Sequence, residues 1–272
     1  MTERIQNSRF EQKYLVSEAT ARRIRDCAVR HLALDEHGAG CPDASYAVHS
    51  LYLDSDAMKT YWDTVQGVKN RFKLRLRFYE DTPDAPVFLE IKRRVNRRIV
   101  KQRAAVRREA AVSLLAGHVP SPAALVTDDP RQLVALEDFC RLARDLEAKP
   151  RMHVAYLREA YMPASGDDSM RLTLDRLVRC ALDDRGQLST ALLDPLSLWG
   201  DAVVFELKFT SVLADWCVNL VRTFDLQPCS AAKYADSVTL MRGRAPELRS
   251  PPSPDLDRQW PGERNAIKSH RD

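Results

Sequence analysis

The sequence predicts an α+β fold in which charged strands are combined with amphipathic helices. Three strand-like segments carry Lys, Arg or Glu at alternate positions with apolar residues between them: RFKLRLRFYE (71–80), PVFLEIKRR (86–94) and RRIVKQR (97–103). Successive side chains of a strand point to opposite faces, so each segment has one charged and one apolar face. The charged faces could line an enclosed barrel or form the solvated side of a meander. From these segments alone the meander is the commoner arrangement.

Before the charged segments, the patterns predict two strands and two helices: strand 8–16, helix 17–32, strand 46–54 and helix 57–66. Ser17 is a typical N-cap for the first helix. Asp56 is the expected cap of the second helix, and Gly67 the residue that ends it. Asn96 is expected in the tight connection between the second and third charged strands.

After the charged segments, three helices and three strands are expected: helices 107–117, 129–147 and 213–225, and strands 151–161, 170–178 and 202–210. Residues 231–241 form a last short helical or irregular segment. The sequence from Gly243 onward is polar and Pro-rich, which predicts a disordered tail. The expected division is therefore a domain over 1–242 and a tail over 243–272.

The later strands repeat the alternation of the early ones. Across seven strands, one face carries eight cations and four carboxylates: Lys13, Arg75, Arg77, Lys92, Lys101, Arg158, Arg171, Lys208, Glu11, Glu90, Asp175 and Glu206. Such a face, once enclosed, repels itself unless an anion fills it. Carboxylates among cations would suit a divalent metal, and this combination is typical of sites that handle phosphoanhydrides. The recurrence favours the enclosed arrangement over the meander.

Composition limits which partners and which cellular compartment can be expected. A net charge of +4, from 42 basic and 38 acidic residues, is too mild for a general nucleic-acid coat, so no nucleic-acid partner is expected. The six cysteines form no CxxC pair, which favours free thiols in a reducing compartment. With no apolar run long enough to cross a bilayer and no signal-peptide pattern, we expect a cytoplasmic protein. A membrane-protein partner remains open.

Nine short motifs in order carry a family resemblance: FEQKY (10–14), SLYLDS (50–55), KLRLRFY (73–79), FLEIKRR (88–94), KQR (101–103), YLREAY (156–161), RLTLD (171–175), FELKF (205–209) and AKY (232–234). Together they resemble the VTC domain, the polyphosphate polymerase branch of the triphosphate tunnel metalloenzymes in the CYTH superfamily. The resemblance covers about residues 8–241. It implies an eight-stranded antiparallel β-barrel, open as a tunnel and buttressed by helices. It also implies activity on ATP and inorganic polyphosphate with Mn²⁺ or Mg²⁺.

The resemblance and the strand pattern together assign roles to thirteen residues. The expected catalytic clamps are Arg75, Arg77, Lys92 and Arg158. The expected phosphate-binding residues are Lys13, Lys101, Tyr156, Arg171, Lys208 and Lys233. Glu206 is the first candidate metal ligand, followed by Glu11 and Glu90. Two positions depart from the family pattern, since Arg9 replaces one glutamate of the first-strand motif and Ala232 stands where the family often has Ser.

The function that the resemblance implies is transfer of the γ-phosphoryl group of ATP to a polyphosphate chain. Loss of one first-strand glutamate favours this polymerase branch over the triphosphatase branch. Two alternatives remain at this stage, hydrolysis of tripolyphosphate or nucleoside triphosphates and binding of polyphosphate without catalysis. Among the histidines, His153 alternates with the inward positions of its strand, which predicts a packed residue rather than a catalytic one.

Overall fold

The computed structural model describes residues 10–96, 98–167, 169–210, 212–245 and 248. Within these ranges, the strands are β1 (Phe10–Val16), β2 (Ala33–Leu34), β3 (Tyr46–Asp54), β4 (Asn70–Phe78), β5 (Val87–Val95), β6 (Arg98–Val106), β7 (Lys149–Met162), β8 (Met170–Leu182), β9 (Leu196–Ser197) and β10 (Val203–Phe209). The helices are α1 (Glu18–Ala28), α2 (Glu36–Ala39), α3 (Lys59–Val65), α4 (Arg108–Leu115), α5 (Pro130–Asp145), α6 (Asp215–Thr223) and α7 (Lys233–Met241). The predicted α+β class is confirmed.

Eight strands form one antiparallel path in the order β1-β10-β8-β7-β3-β4-β5-β6, and the short strands β2 and β9 pair with β7 and β8. The path curls on itself, because Lys92 of β5 reaches Glu11 of β1 at a distance of 2.8 Å. Among the described residues, β1 and β6 share no ladder. The eight-stranded tunnel expected from the sequence is therefore a curved sheet with one open seam.

Helices cover the convex face of the sheet, as the apolar alternation requires. On β4, Leu74, Leu76 and Phe78 are fully buried in a cluster that includes Phe139 of α5. A second cluster joins Ile24 of α1 and residues of α6 to β1, β8 and β10. Because apolar side chains point outward into these layers, the charged side chains of the same strands point into the concave face.

Helix α7 packs on the concave face. Its Tyr234 ring stacks on Tyr52 of β3 with centroids 4.9 Å apart. The Tyr234 hydroxyl donates a hydrogen bond of 2.7 Å to Asp54, and Asp54 also accepts the backbone N–H of Thr60 at 2.9 Å and that of Tyr61 at 3.0 Å. A single buried carboxylate thus holds α3 and α7 to the end of β3.

Local signals in the sequence were correct at three points and wrong at one. Ser17 caps α1 through a 3.1 Å bond from the backbone N–H of Thr20, while Gly67 and Asn96 take the left-handed conformations expected of a helix end and a tight turn. Asp56 does not cap α3. It pairs with Lys149 and Arg151, and Asp54 accepts the helix N–H groups instead.

The predicted disordered tail, 243–272, lies almost wholly outside the described residues. Of its few described members, Ala245 and Leu248 are 2% and 3% exposed and pack on the cluster that contains α7. The described helices include none with the length and apolar character needed to span a bilayer.

A cationic cavity inside the curved sheet

A cavity of about 540 Å³ opens within the concave face, and its wall is predominantly cationic. Among the described residues, eleven basic side chains line it: Lys13, Arg71, Lys73, Arg75, Arg77, Lys92, Arg93, Arg94, Arg158, Lys208 and Lys233. Three carboxylates accompany them: Glu11, Glu206 and Asp236. An enclosed excess of positive charge on this scale is stabilised when a polyanion occupies it.

Strands β1 and β10 place four charges in a crossed arrangement at one side of the cavity. Glu11 is opposite Lys208, and Lys13 is opposite Glu206 in the antiparallel ladder. Burial by itself raises the pKa of Glu206, but Lys208 and Lys13 lower it well below its ordinary value. Burial likewise opposes ionisation of Glu11, while Lys92 lowers its pKa. Both carboxylates are therefore ionised near neutral pH.

Two further cations are held by one buried acid. The Nε and Nη2 atoms of Arg158 donate to the two oxygens of Asp175 at 2.7 and 2.8 Å, and Lys233 donates to the second oxygen at 2.7 Å. Burial raises the pKa of Asp175, but Arg158 and Lys233 outweigh this and keep it below its ordinary value. The acid thus fixes the direction of both cations, one from β7 and one from the first turn of α7.

Phenolic hydroxyls orient the arginines of β4. Arg77 donates to the hydroxyl of Tyr156 at 3.0 Å. Arg75 donates to the hydroxyl of Tyr52 at 3.1 Å. Burial opposes ionisation of Tyr52, and Arg75 and Arg77 lower its pKa. Tyr52 was not predicted as a site residue, although its place in SLYLDS, on the inward face of β3, is a signal that could have identified it.

Three of the thirteen predicted residues lie outside the cavity wall. Glu90 is fully buried beside it, 2.6 Å from both Arg75 and Lys101 and 3.4 Å from Arg103. These cations lower the pKa of Glu90 well below its ordinary value despite its burial. Glu90 is thus the counter-ion of its neighbours. Neither Glu90 nor Lys101 lines this cavity, and their roles in metal and phosphate binding stay predictions. Arg171 also lies apart, bound to Asp35 at 2.6 Å.

The other ten predicted residues meet in the cavity, and the structure adds Lys73. This lysine shares the inward face of β4 with Arg75 and Arg77, although it is not among the predicted site residues. Burial lowers its pKa to about 7, and Lys13 and Lys92 act in the same direction. Its ammonium lies 5.5 Å from the ring centroid of Tyr234. The signal that could have found it is its spacing of two residues from Arg75.

Two carboxylates of the cavity fit a divalent cation. Glu11 and Glu206 supply hard oxygen donors that are already ionised. They are diagonal neighbours in the β1–β10 ladder, where Glu11 is opposite Lys208 and Glu206 is opposite Lys13. The described residues contain no group of three or more His, Cys, Asp or Glu placed to hold a metal. Mg²⁺ and related ions are commonly held by one or two carboxylates together with substrate phosphates. The donor set fits an ion shared with a phosphate substrate.

The sequence profile described as the VTC domain matches residues 8–242. The chain belongs to the VTC domain family. No curated protein matches the sequence of this VTC domain.

Two solved structures with some similarity to this VTC domain are each titled a "putative adenylate cyclase". The one from Bacillus halodurans has 14% identity and a TM-score of 0.47, with 83% of this chain and 94% of that chain covered. The one from Vibrio parahaemolyticus has 11% identity and a TM-score of 0.41, with 85% and 97% covered.

Proposed function

We propose that this VTC domain is a polyphosphate polymerase that transfers the γ-phosphoryl group of ATP to a growing inorganic polyphosphate chain. The observation that carries the proposal is the cavity itself, where eleven cations and three carboxylates line about 540 Å³. A linear phosphate polymer offers the repeated negative charge that such a wall would bind.

The arginines are suited to gripping phosphate oxygens. Guanidinium groups bind oxyanions through two parallel N–H groups, whereas lysines act as point charges. Arg75, Arg77 and Arg158 are already oriented by Tyr52, Tyr156 and Asp175 respectively. Donors fixed before the reaction stabilise charge in the transition state without the cost of reorganisation.

The two acids of the β1–β10 ladder, Glu11 and Glu206, support transfer to a phosphate rather than to water. In the proposed step, the bond from the γ-phosphorus to the bridging oxygen of ADP breaks, and a bond forms to a terminal oxygen of the chain. That oxygen is ionised, so no base is needed. Attack by water requires proton removal, and the lowered pKa values of Glu206 and Glu11 make both carboxylates weak bases.

Mn²⁺ or Mg²⁺ held at Glu206 and Glu11 would neutralise charge on the phosphates. The presence of two ionised carboxylates in an otherwise cationic wall also favours an enzyme over a module that only binds polyphosphate. A simple binder gains nothing from carboxylates that repel its ligand.

The test is to incubate the purified chain with ATP and Mn²⁺ and to measure ADP, orthophosphate and polymer together. If the chain is a polymerase, ADP and polymer should be formed together, and little orthophosphate should be released. A Glu206→Gln variant should lose at least 100-fold in rate, by analogy with the loss of one electrostatic contact in a transition state. Glu137→Gln, at an exposed position of α5, is the matched control and should be unchanged. Orthophosphate without polymer would establish a hydrolase, and tight binding without either product would establish a binder.

A further inference from the structure

Four aromatic side chains cluster at the end of the sheet away from Arg71 and Arg94. Tyr46 begins β3, Tyr79 follows β4 and Phe88 lies near the start of β5, so antiparallel pairing brings them to one edge. His37 of α2 completes the group. Ring centroids are 5.3 Å apart for His37 and Tyr46, 5.6 Å for His37 and Tyr79, 6.0 Å for Tyr46 and Tyr79, and 5.8 Å for Tyr79 and Phe88. We call this group the aromatic mouth.

The aromatic mouth remains open to solvent. His37 is exposed and the other three rings are only half-buried, unlike Phe78, which is fully buried one residue before Tyr79. His37 lies nearly parallel to Tyr79, with an angle of 21° between the rings. Aromatic surfaces of this kind accept a further planar ring by stacking.

Two arginines flank the aromatic mouth with donor groups. Arg103 lies over Phe88, 3.5 Å from its centroid, and its Nη2 is 3.4 Å from the hydroxyl of Tyr79. Arg171 donates to the hydroxyl of Tyr46 at 3.2 Å. Its Nε atom is buried and has no hydrogen-bond partner among the described residues. A buried donor left unpaired is costly, and a ligand acceptor would satisfy it.

The aromatic mouth adjoins the cationic cavity, and the side chains of Arg103 and Glu90 connect the two. Arg103 lies 3.4 Å from Glu90, and Glu90 lies 2.6 Å from Arg75 of the cavity wall. On the other side, Tyr46 is directly opposite Arg158 in the ladder between β3 and β7. A molecule whose phosphates reach Arg75 or Arg158 in the cavity can therefore place the rest of its structure against the aromatic rings.

We infer that the aromatic mouth binds the purine base of the nucleoside triphosphate, whose phosphates enter the cavity. This inference rests on the proposed function and adds the means by which a nucleotide donor is told apart from a plain polyphosphate. An inorganic polyphosphate has no planar apolar part, so half-buried rings contribute nothing to its binding. A purine has both a stacking face and ring nitrogens that accept hydrogen bonds from arginine.

The test compares two ligands that differ in the base. Binding of the β,γ-imido analogue of ATP and of tripolyphosphate, each with Mn²⁺, is measured by calorimetry on the full chain and on His37→Ala and Tyr79→Leu. Base stacking contributes roughly 1 to 3 kcal/mol, so Kd for the ATP analogue should rise about 5- to 160-fold. Kd for tripolyphosphate should change less than about twofold. His31→Ala is the matched control, because His31 is an exposed histidine stacked on Trp216 at 4.6 Å, outside the cavity wall.

Each other outcome has a distinct meaning. Equal losses for both ligands, or none for either, would overturn the inference. Wild-type protein that binds tripolyphosphate but not the ATP analogue would also overturn the inference, although phosphate binding in the cavity would be unaffected. If the variants selectively lose binding of the ATP analogue but the wild-type protein makes no polymer, the result would support the aromatic mouth as a base-binding site and overturn the polymerase proposal. Unfolding in urea identifies a variant that has lost its fold, and His37→Ala, at an exposed position, then decides the outcome.

Discussion

The ammonium group of Lys92 lies 2.8 and 2.9 Å from the two carboxylate oxygens of Glu11. This contact joins β5 to β1 across the open seam of the sheet. Lys92 is 34% exposed and Glu11 10% exposed in their side chains, so water screens the pair only in part. The same two residues also line the cavity. They therefore serve both the closure of the sheet and the charge of its interior.

Breaking this pair should weaken the seam measurably. A double-mutant cycle with Glu11→Gln and Lys92→Met is expected to give a coupling of about 1 kcal/mol in the free energy of unfolding, measured in urea at low salt. The exposed pair of Arg22 and Glu18 on α1 is the comparison, with an expected coupling of about 0.3 kcal/mol. Equal couplings in the two cycles would show that the seam contact adds no stability.

Removal of Arg75 and removal of Lys208, two cations of the cavity wall, should lower the free energy of unfolding by different amounts. Arg75→Ala removes one of the two cations that lie 2.6 Å from Glu90, which is 1% exposed in its side chain, and weakening such a buried network costs up to about 3 kcal/mol. Lys208→Met removes a cation whose pKa burial lowers to about 8, and Lys13 remains opposite Glu206, so we expect a smaller loss of stability. Both should reduce polymer synthesis about 10- to 1000-fold. Urea unfolding and turnover of the two variants are the measurements, and an equally stable Arg75→Ala would contradict the counter-ion role of Glu90.

Polyanion binding should take up protons at Lys73. Burial, Lys13, Lys92 and Arg71 lower its pKa to about 7, and Asp236 and the ring of Tyr234 also face it. At pH 8 most of Lys73 is neutral in the empty cavity, and a bound polyphosphate favours the charged form. Calorimetry of tripolyphosphate binding in buffers of different ionisation enthalpy should show uptake at pH 8 and less at pH 6.5. Lys208, with a pKa of about 8, contributes as well. Lys73→Met should reduce the uptake, and an unchanged value would place the linkage elsewhere.

Ala232→Ser should stabilise the protein. Ala232 is the N-cap of α7 and provides no side-chain acceptor for the helix N–H groups. A serine hydroxyl at an N-cap contributes about 1 kcal/mol relative to alanine. The residue also lines the cavity, so we expect polymer synthesis to be maintained or increased. Ala214→Ser at the N-cap of α6, which likewise lacks a side-chain cap bond, is a control for capping away from the cavity. A gain in stability at Ala214 alone would show that position 232 cannot be capped in this way.

A buried histidine pair should make the protein sensitive to acid. Nδ1 of His49 lies 3.1 Å from Nε2 of His153, and both rings contact Phe78 in the outer layer. Burial lowers the pKa of His153 to about 3, and burial also lowers that of His49. Below the ordinary value of about 6.5 the unfolded chain gains protons that the folded chain does not. Stability is thus present above pH 6.5 and lost towards pH 3.

The size of this effect can be measured by chemical unfolding at pH 7 and pH 4.5. The pair should account for about 2 kcal/mol of the difference, and His153→Phe should reduce that difference. If His153→Phe shows the same pH dependence as the wild type, the acid sensitivity arises from carboxylates such as Asp175 instead. The geometry agrees with the sequence-based expectation that His153 is packed rather than catalytic.

Strand alternation was sufficient to predict which faces of the strands point inward. The division of β4 into Leu74, Leu76 and Phe78 on one side and Lys73, Arg75 and Arg77 on the other follows from local spacing alone. Spacing could not distinguish Glu90 from Glu206, because both are inward acids two residues from a lysine. Their difference arises from the ladder, which places Glu90 between Arg75 of β4 and Arg103 of β6. Such cross-strand neighbours depend on register, and no single segment contains that information.

The aromatic mouth shows the same limit. His37, Tyr46, Tyr79 and Phe88 belong to four segments of the sequence, and no spacing connects them. The short helix α2 that carries His37 was not predicted at all, since four residues give too little periodicity. Sequence patterns therefore identified the cationic wall, while the arrangement of its ends required the three-dimensional pairing of strands.

The first described strand and the last described helix are tied together at the cavity wall. The backbone N–H of Cys229 donates to the carbonyl of Lys13 at 2.8 Å, and the ammonium of Lys13 donates to the carbonyl of Ala231 at 3.3 Å. During synthesis, β1 leaves the ribosome long before the segment that carries Lys233. The nascent chain must therefore hold β1 without its ladder partner β10, and without the segment that precedes α7, until late in synthesis. The cavity wall is therefore completed only when the last described elements of the chain have been synthesised.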